Sequence, residues 1–319
     1  MLDLLIIGGG PIGLACGLEA QNAGLSFKII EKGCLVNSLY NYPYTMTFFS
    51  TSDRLEIGGI PFVTINNKPN RAEALEYYRR VALSNQLPVS LFEEVTDVRR
   101  DGDGYHITTC KATYQAKYVV LATGFYDIAV NLNIPGEYLP KVKHYYKDPH
   151  YYAMQKVIVV GASNSAIDVA LETYRKGADV TLVVRGSEVS SRVKYWVRPD
   201  IINRIEEGSI KAYFNSELAA VREHEADINT PDGLVTIPND FVMAMTGYKP
   251  NFNFLKKLGI ELTDDKFIPH YNKETMETNQ PGMYLAGVVC GGLDTHLWFI
   301  ENSRVHAEMI IGDIVKKRG

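Results

Sequence analysis

The sequence predicts an α/β protein with two parallel βαβ units in one chain. Three observations carry that expectation. "LLII", Leu4 to Ile7, is an apolar run of the kind a parallel strand buries on both faces, and it enters a glycine-rich turn. "VIVV", Val157 to Val160, does the same at Gly161. Behind each turn a helical stretch leads to another short apolar run, "SFKII" in the first unit and "DVTLVV" in the second.

In the first unit Gly8, Gly10 and Gly13 stand with G-x-G-x-x-G spacing around Pro11 and Ile12. "LACGLEAQNAG" then reads as a helix that stops at Gly24, and the second strand ends in Glu31, 21 positions after Gly10. Gly8 permits the tight turn, Gly10 lets a pyrophosphate approach the backbone, and Gly13 lets helix and strand pack closely. The helix start offers free N–H groups and the positive end of its dipole to phosphates. Glu31 can accept hydrogen bonds from both ribose hydroxyls and would repel a 2'-phosphate. The unit therefore reads as a Rossmann-like site for FAD or NAD rather than NADP. A glycine-rich turn without ligand is the competing reading, and strand, helix and acid together weigh against it.

The second unit runs from Lys156 to Arg185. Gly161 opens its turn, and Ser163 and Ala166 stand where the second and third glycines would be. The helix "SNSAIDVALETYRKG" opens with Ser163, Asn164 and Ser165. The following strand ends in Arg185, not in an acid. A guanidinium is a planar fork that fits a phosphate, so Arg185 reads as a 2'-phosphate clamp and the site as one for NADPH. Arg192 and Lys194 add positive charge nearby. The alternative is that Arg185 is a solvated surface arginine.

One site choosing FAD and another choosing NADPH imply a flavoprotein in which nicotinamide reduces the flavin and a second substrate collects the electrons. Other segments agree. "KYVVLATG" ends in Thr123-Gly124, and "DFVMAMTGYKPN" carries Gly247 in a similar Thr-Gly turn. Both resemble the crossing points between the domains of two-dinucleotide flavoproteins. "GMYLAGVV" brings Gly287 to a turn before a late helix of about "LWFIENSRVHAEMIIGDIVKK", which contains Ile300. In such proteins that turn lies along the ribityl chain, and the helix dipole favours an anionic reduced flavin. Lys32, Asn41 and Val95 complete the candidate cofactor contacts. The expected domain map is a split FAD domain, 1–125 and 245–319, with an NADPH domain, 126–244, inserted in it. "GFYDIAVNLNIPG" and "GYKPN" are the expected hinges.

Composition limits the alternatives. The chain has 319 residues, 46% apolar and 22% charged, which is ordinary for a globular protein of about two domains. A net charge of -4 gives no reason to expect nucleic acid or an anionic membrane as partner. No run approaches a membrane span, and Met1 leads directly into a strand, so no signal peptide is expected. Four scattered cysteines without a C-x-x-C exclude a zinc knuckle and a vicinal redox pair and suit a reducing cytoplasm. No metal site is expected.

At this length the plan resembles thioredoxin reductase over nearly the whole chain. "YNYP", Tyr40 to Pro43, is similar to the Glu-Asn-Phe/Tyr-Pro stretch of that family, whose Asn touches the flavin, and the role is carried over to Asn41. That family's C-x-x-C precedes the NADPH turn. Here the region is "KVKHYYKDPHYYAMQ", so reduction of thioredoxin by a vicinal dithiol is excluded. A second resemblance is closer. "GGGPIGL", "IIEKG", "YNYP", "TFFSTSDRLEIGGIPF", "ALEYYRRV", "LPKVKHYYKDPHYY", "NSAIDVALE", "YNKETMETN" and "FIEN" together resemble the bacillithiol-disulfide reductase family. That resemblance implies FAD, NADPH, the disulfide of a small thiol as substrate, and a homodimer.

One departure concerns chemistry. Many members of that family carry a cysteine, the proposed electron relay, where this chain has Ile12. Ile12 cannot relay electrons. Cys16 lies one turn on, about 6 Å along the helix, and reads either as a displaced thiol or as a small buried apolar residue. Cys290, in "AGVVCGGLDTHLWF", is the second candidate thiol, against a packed cysteine in a glycine-rich turn. His296 in the same segment is a candidate proton donor to a leaving thiolate, or an ordinary hydrogen-bonding group. Cys34 and Cys110 read as remote or structural. Competing functions are a flavin monooxygenase, whose linker "HYYKDPHYYAMQKVIVVGASNSAID" resembles; a ferredoxin–NADP reductase of thioredoxin-reductase type; and a flavin-bound redox sensor.

Overall fold

The computed structural model describes residues 1–318. The chain forms two compact units, one of Met1–Ile128 together with the chain from Tyr248 on, the other of Ala129–Gly247. The chain thus passes between units after Ile128 and after Gly247, slightly beyond the boundaries at 125 and 244 expected from the sequence.

The first unit opens with β1 (Leu2–Ile7), α1 (Pro11–Asn22), β2 (Phe27–Ile30), the short helix α2 (Asn37–Tyr40) and α3 (Arg71–Ser84). β3 (Val89–Ser90), β4 (Val95–Asp101), β5 (Gly104–Thr109) and β6 (Thr113–Leu121) follow. β1 is the centre of the sheet because Leu4, Leu5 and Ile6 leave it no solvent-facing side; all three are fully buried. It pairs in parallel with β2, Leu4 against Phe27, and with β6, Leu4 against Tyr118. α1 stops where expected: its last turn is closed by the N–H of Gly24 on the Gln21 carbonyl.

After β7 (Ile128–Ala129) the second unit contains β8 (Val142–Lys143), β9 (Lys156–Val160), α4 (Asn164–Tyr174), β10 (Asp179–Val183), α5 (Arg198–Glu206) and β11 (Lys211–Tyr213). A hairpin run β12 (Glu217–Val221), β13 (Glu225–Thr230) and β14 (Gly233–Pro238) leads to β15 (Phe241–Ala244). Five parallel strands form the order β11-β10-β9-β15-β8. Ile167, Ala170 and Leu171 of α4 and Ile201 of α5 pack on one apolar cluster with Val157 and Val159. Ile158 and Val160 of β9 share a second cluster with Leu218, Val221, Ala226 and Ile228 of the antiparallel hairpins. The alternation along β9 thus feeds two different cores.

The chain re-enters the first unit with β16 (Tyr248–Lys249), α6 (Phe252–Lys257), β17 (Met283–Leu285), α7 (Ile300–Ser303) and α8 (Val305–Arg318). β17 joins the second half of β6 in parallel, Met283 against Val119, while β5 holds the first half antiparallel. The single late helix expected from about Leu297 is instead two, separated at Arg304. Arg304 donates to the carbonyl oxygens of Asp53 and Glu56, at 3.1 and 2.8 Å.

Candidate functional site

The first glycine turn is shaped by contacts that no side chain would survive. Gly8 has φ +116°, and a methyl group on it would overlap the Ala122 carbonyl; one on Gly13 would overlap the carbonyl oxygen of Gly8 itself. Gly10 is the opposite case: a Cβ there meets nothing within 4 Å. The turn is therefore closed on its protein side and open on its outer side. α1 begins at Pro11 with no side-chain cap and no acid in its first turn, so its leading N–H groups face that opening unspent.

Glu31 at the end of β2 is buried, and burial raises its carboxyl above the usual range. Its Oε2 accepts the Gly9 N–H at 2.7 Å and its Oε1 the Gly33 N–H at 2.8 Å. Each oxygen keeps a lone pair for a hydroxyl donor. Glu31 thus fixes the turn as well as facing it. Lys32 commits its ammonium to Asp127 at 2.7 Å, which leaves its backbone as what it can offer.

Further residues close on this turn. The Val36 N–H bonds the Gly9 carbonyl, bringing α2 alongside. Arg71, in the first turn of α3, donates to the carbonyls of Leu39 and Tyr40, and Asn41 ends α2 with its amide on the Asn37 carbonyl at 3.0 Å. Tyr126 donates to the Asn41 carbonyl at 3.3 Å and packs between Tyr42 and Tyr248, at 4.9 and 4.4 Å between ring centres. Thr123 adjoins Gly8, and Gly124 lies across from Ser38. Gly287, at the turn after β17, abuts Ile12: a Cβ on it would stand 3.3 Å from the Ile12 side chain. Gly8, Gly10, Pro11, Ile12, Gly13, Glu31, Thr123, Gly124 and Gly287 therefore lie at or around one turn of the first unit. Val95 starts β4, two residues past Glu93, whose N–H bonds the Glu31 carbonyl; Ile300 starts α7.

Both candidate thiols are enclosed. Cys16 is wholly buried, and burial pushes its thiol up to about 12. Cys290 is equally enclosed, and burial raises its thiol further still. A thiol held protonated is a poor nucleophile, so the packing supports the core-filling reading of both. His296 is exposed on the 293–298 turn. The histidine that meets the Gly287 turn is His306 of α8, which the sequence reading missed. It is buried, its Nδ1 accepts the Gly287 N–H at 3.1 Å and lies 4.0 Å from the Cys290 sulfur, and burial lowers its pKa to about 4. The imidazole is therefore neutral. A signal existed: His306 stands in the stripe Ser303, Ala307, Ile310, Ile311, Ile314, where a polar ring on a buried helix face needs a partner.

The second turn repeats the plan in the other unit. Gly161 has φ +134°, and a Cβ there would stand 2.7 Å from the Met245 carbonyl oxygen. α4 begins after Ser163 with no side-chain cap and no acid in its first turn. Asn164 is not turned outward with its amide free. Its Nδ2 donates to the Arg192 carbonyl at 3.1 Å and its Oδ1 accepts the Lys194 N–H at 2.8 Å. Arg185 and Arg192 are exposed, and neither guanidinium has an ion-pair partner among the described residues. Lys194 differs from the expectation: its ammonium is paired with Asp168 at 2.8 Å, so it contributes little free charge. Ser165 lies in the first turn of α4, and Gly247 ends the unit.

Residues 5–287 match the family of pyridine nucleotide-disulphide oxidoreductases. This chain belongs to that family. Among relatives of this oxidoreductase, the bacilliredoxin reductase Bdr of Bacillus subtilis (strain 168) is 42% identical over 98% of this chain and 97% of its own. The bacillithiol disulfide reductase Bdr structures from Bacillus cereus and Staphylococcus aureus superpose with TM-scores of 0.97 at 41% identity. They cover 99% and 100% of this chain and 99% of their own. The chain is thus a member of the bacillithiol-disulfide reductase group of the family. A Lactococcus lactis thioredoxin reductase, 19% identical with a TM-score of 0.78 over 99% of this chain and 98% of its own, shares the fold.

Proposed function

We propose that this oxidoreductase is an FAD-dependent enzyme that passes electrons from NADPH to the disulfide of a low-molecular-weight thiol, bacillithiol disulfide. The observation that carries it is the contrast between the two units: buried Glu31 follows the second strand of the first, and exposed Arg185 follows that of the second. Full-length likeness to the bacillithiol disulfide reductases supports the choice of acceptor.

The first cradle fits FAD, since it is closed on the protein side, open at Gly10, and lined by uncommitted N–H groups. Gly8, Gly10, Pro11, Ile12, Gly13, Glu31, the Lys32 backbone, Asn41, Val95, Thr123, Gly124, Gly287 and Ile300 would hold it. When bound, FAD takes a hydride from the nicotinamide and makes the electron pair available to a disulfide. Glu31 would accept the ribose hydroxyls while keeping the Gly9 and Gly33 N–H groups in place. Gly161, Ser163, Asn164, Ser165, Arg185, Arg192 and Gly247 would serve NADPH, with Lys194 fixing the loop that carries Arg192. No side chain here is assigned an electron relay, because position 12 is isoleucine and the nearby Cys16 and Cys290 are buried and protonated. The reading extends to a homodimer, by likeness to the family, and to a reducing cytoplasm, which suits four free cysteines.

The test is anaerobic. NADPH should bleach the flavin absorbance of the purified protein, and bacillithiol disulfide should restore it at once, whereas oxidised glutathione should do so slowly. Bleaching without recovery on bacillithiol disulfide would remove the substrate. No flavin in the protein and none taken up on reconstitution would remove the enzyme.

A further inference from the structure

The loop between β10 and α5 carries more than the arginines. It is fastened to the second glycine turn and the helix behind it at four points: Ser190 N–H to the Ala162 carbonyl at 3.1 Å, the two Asn164 amide bonds, and the Lys194–Asp168 ion pair. Val189 and Val193 anchor it in the core of the unit. Arg198 ties its far end back to Glu188 at 3.2 Å. A loop this constrained loses little conformational freedom when a ligand arrives.

What the loop presents is a charge and a pair of rings. Arg192 is exposed. Three residues on, Tyr195 is 80% exposed and makes a T-shaped pair with Trp196, with ring centres 4.8 Å apart and planes at 87°. Leaving a tyrosine face in water on a rigid loop forgoes the burial that such a ring normally finds. An aromatic side chain three residues from an anion-seeking guanidinium, on a loop fastened beside a glycine turn, supplies the two groups a purine nucleotide needs: a ring on which the base stacks and a fork with which the phosphate pairs.

We propose that Tyr195, braced by Trp196, is the stacking platform for the adenine ring at the second dinucleotide site. The assignment rests on the reading of that site as the NADPH site. It divides the labour there. Arg185 and Arg192 recognise the 2'-phosphate, the helix start takes the pyrophosphate, and Tyr195 holds the base common to NADPH and NADH.

The experiment uses the flavin-loaded holoenzyme with ferricyanide as electron acceptor, so that the thiol substrate plays no part. NADPH, NADH and reduced nicotinamide mononucleotide, which lacks the adenosine half, serve as donors. Tyr195→Ala should raise KM for NADPH and for NADH by the same factor, about tenfold, as expected for loss of one base–aromatic stack. Its kcat should be unchanged, and so should its kcat/KM with the mononucleotide. Tyr195→Phe should behave as the parent, since stacking needs the ring and not the hydroxyl. Unchanged KM for both dinucleotides in Tyr195→Ala overturns the proposal. So does an equal loss with the mononucleotide, which would signal general damage to the unit.

Arg185→Gln separates the two readings. It should cut the preference for NADPH over NADH by about tenfold, leaving the share that Arg192 supplies, and leave NADH untouched. If the parent shows no such preference and Arg185→Gln changes nothing, the 2'-phosphate reading fails, while the Tyr195 result with NADH still decides the platform. If the parent uses neither dinucleotide, both fall.

Discussion

His306 on α8 accepts the backbone N–H of Gly287 at 3.1 Å, so a neutral imidazole pins the turn that abuts Ile12. A protonated ring has no lone pair to accept with, and burial makes the charge costly. The folded pKa is therefore depressed, about 4 against the usual 6.5. A depressed histidine contributes its full stability above the unfolded value. That contribution is lost as pH falls from about 6.5 towards 4, because the unfolded chain then binds a proton the folded one refuses. The loss should reach about 2 kcal/mol by pH 5 and about 3 kcal/mol near pH 4, and denaturant titrations at pH 7.5, 6 and 5 should show the first part of it. His306→Gln should be less stable at pH 7.5 but flatter across that range. An equally steep decline in the variant would assign the acid sensitivity elsewhere.

Gly13 and Gly10 should separate folding from binding. A methyl group on Gly13 overlaps the Gly8 carbonyl oxygen, backbone against backbone, with no flexible atom to yield. Gly13→Ala should therefore lower the stability of the apoprotein by several kcal/mol, in the overpacking range or beyond. A methyl on Gly10 meets no protein atom, so Gly10→Ala should melt with the parent as apoprotein yet retain much less flavin. Apoprotein melting and the ratio of flavin to protein absorbance check both. A Gly10→Ala protein that binds flavin normally would move the pyrophosphate away from this turn.

Much of this arrangement is legible in the sequence because glycine turns announce backbone requirements locally. Gly8, Gly13 and Gly161 occur where only a missing Cβ fits, and Glu31 and Arg185 close strands whose apolar runs mark their own ends. What the sequence leaves open depends on pairing at long range. The partner of Lys194 is Asp168, on a different element, so the lysine reads as free charge until the fold neutralises it. His306 finds Gly287 across a turn, whereas His296, closer in sequence to that turn, faces solvent. Cys16 stays ambiguous for another reason: α1 is buried on nearly every side, so its pattern has no polar face from which to judge which way the thiol points. The late helix reads as continuous because the break at Arg304 is held by carbonyls of Asp53 and Glu56, far upstream.

Arg192 and Lys194 are two positions apart and should behave differently. Arg192 is exposed and has no ion-pair partner among the described residues, whereas Lys194 already pairs with Asp168. Arg192→Gln should weaken NADPH relative to NADH by about tenfold, the scale of one charge-assisted hydrogen bond. Lys194→Met should leave that ratio alone and cost about 1 kcal/mol of stability from the partly buried ion pair. Steady-state kinetics with both donors, beside thermal melts, distinguishes the roles. A collapse of the ratio in Lys194→Met would show that the ammonium leaves Asp168 for the nucleotide.

The four thiols should report the burial order directly. Cys110 is exposed, Cys34 is partly covered with its sulfur near the Asn37 side chain, and Cys16 and Cys290 are enclosed and held protonated. Native protein treated with iodoacetamide at pH 8 should carry the label first at Cys110. Cys16 and Cys290 should react only after unfolding, as mass spectrometry of the digest would show. Alkylation needs the thiolate and a path to it, and neither buried site offers both. Cys16→Ala should then keep its turnover of bacillithiol disulfide while losing about 1–2 kcal/mol of stability to the small cavity left in α1. Rapid native labelling of Cys16, or a Cys16→Ala enzyme that holds its flavin and accepts electrons from NADPH but no longer reduces the disulfide, would restore the relay one turn along from Ile12.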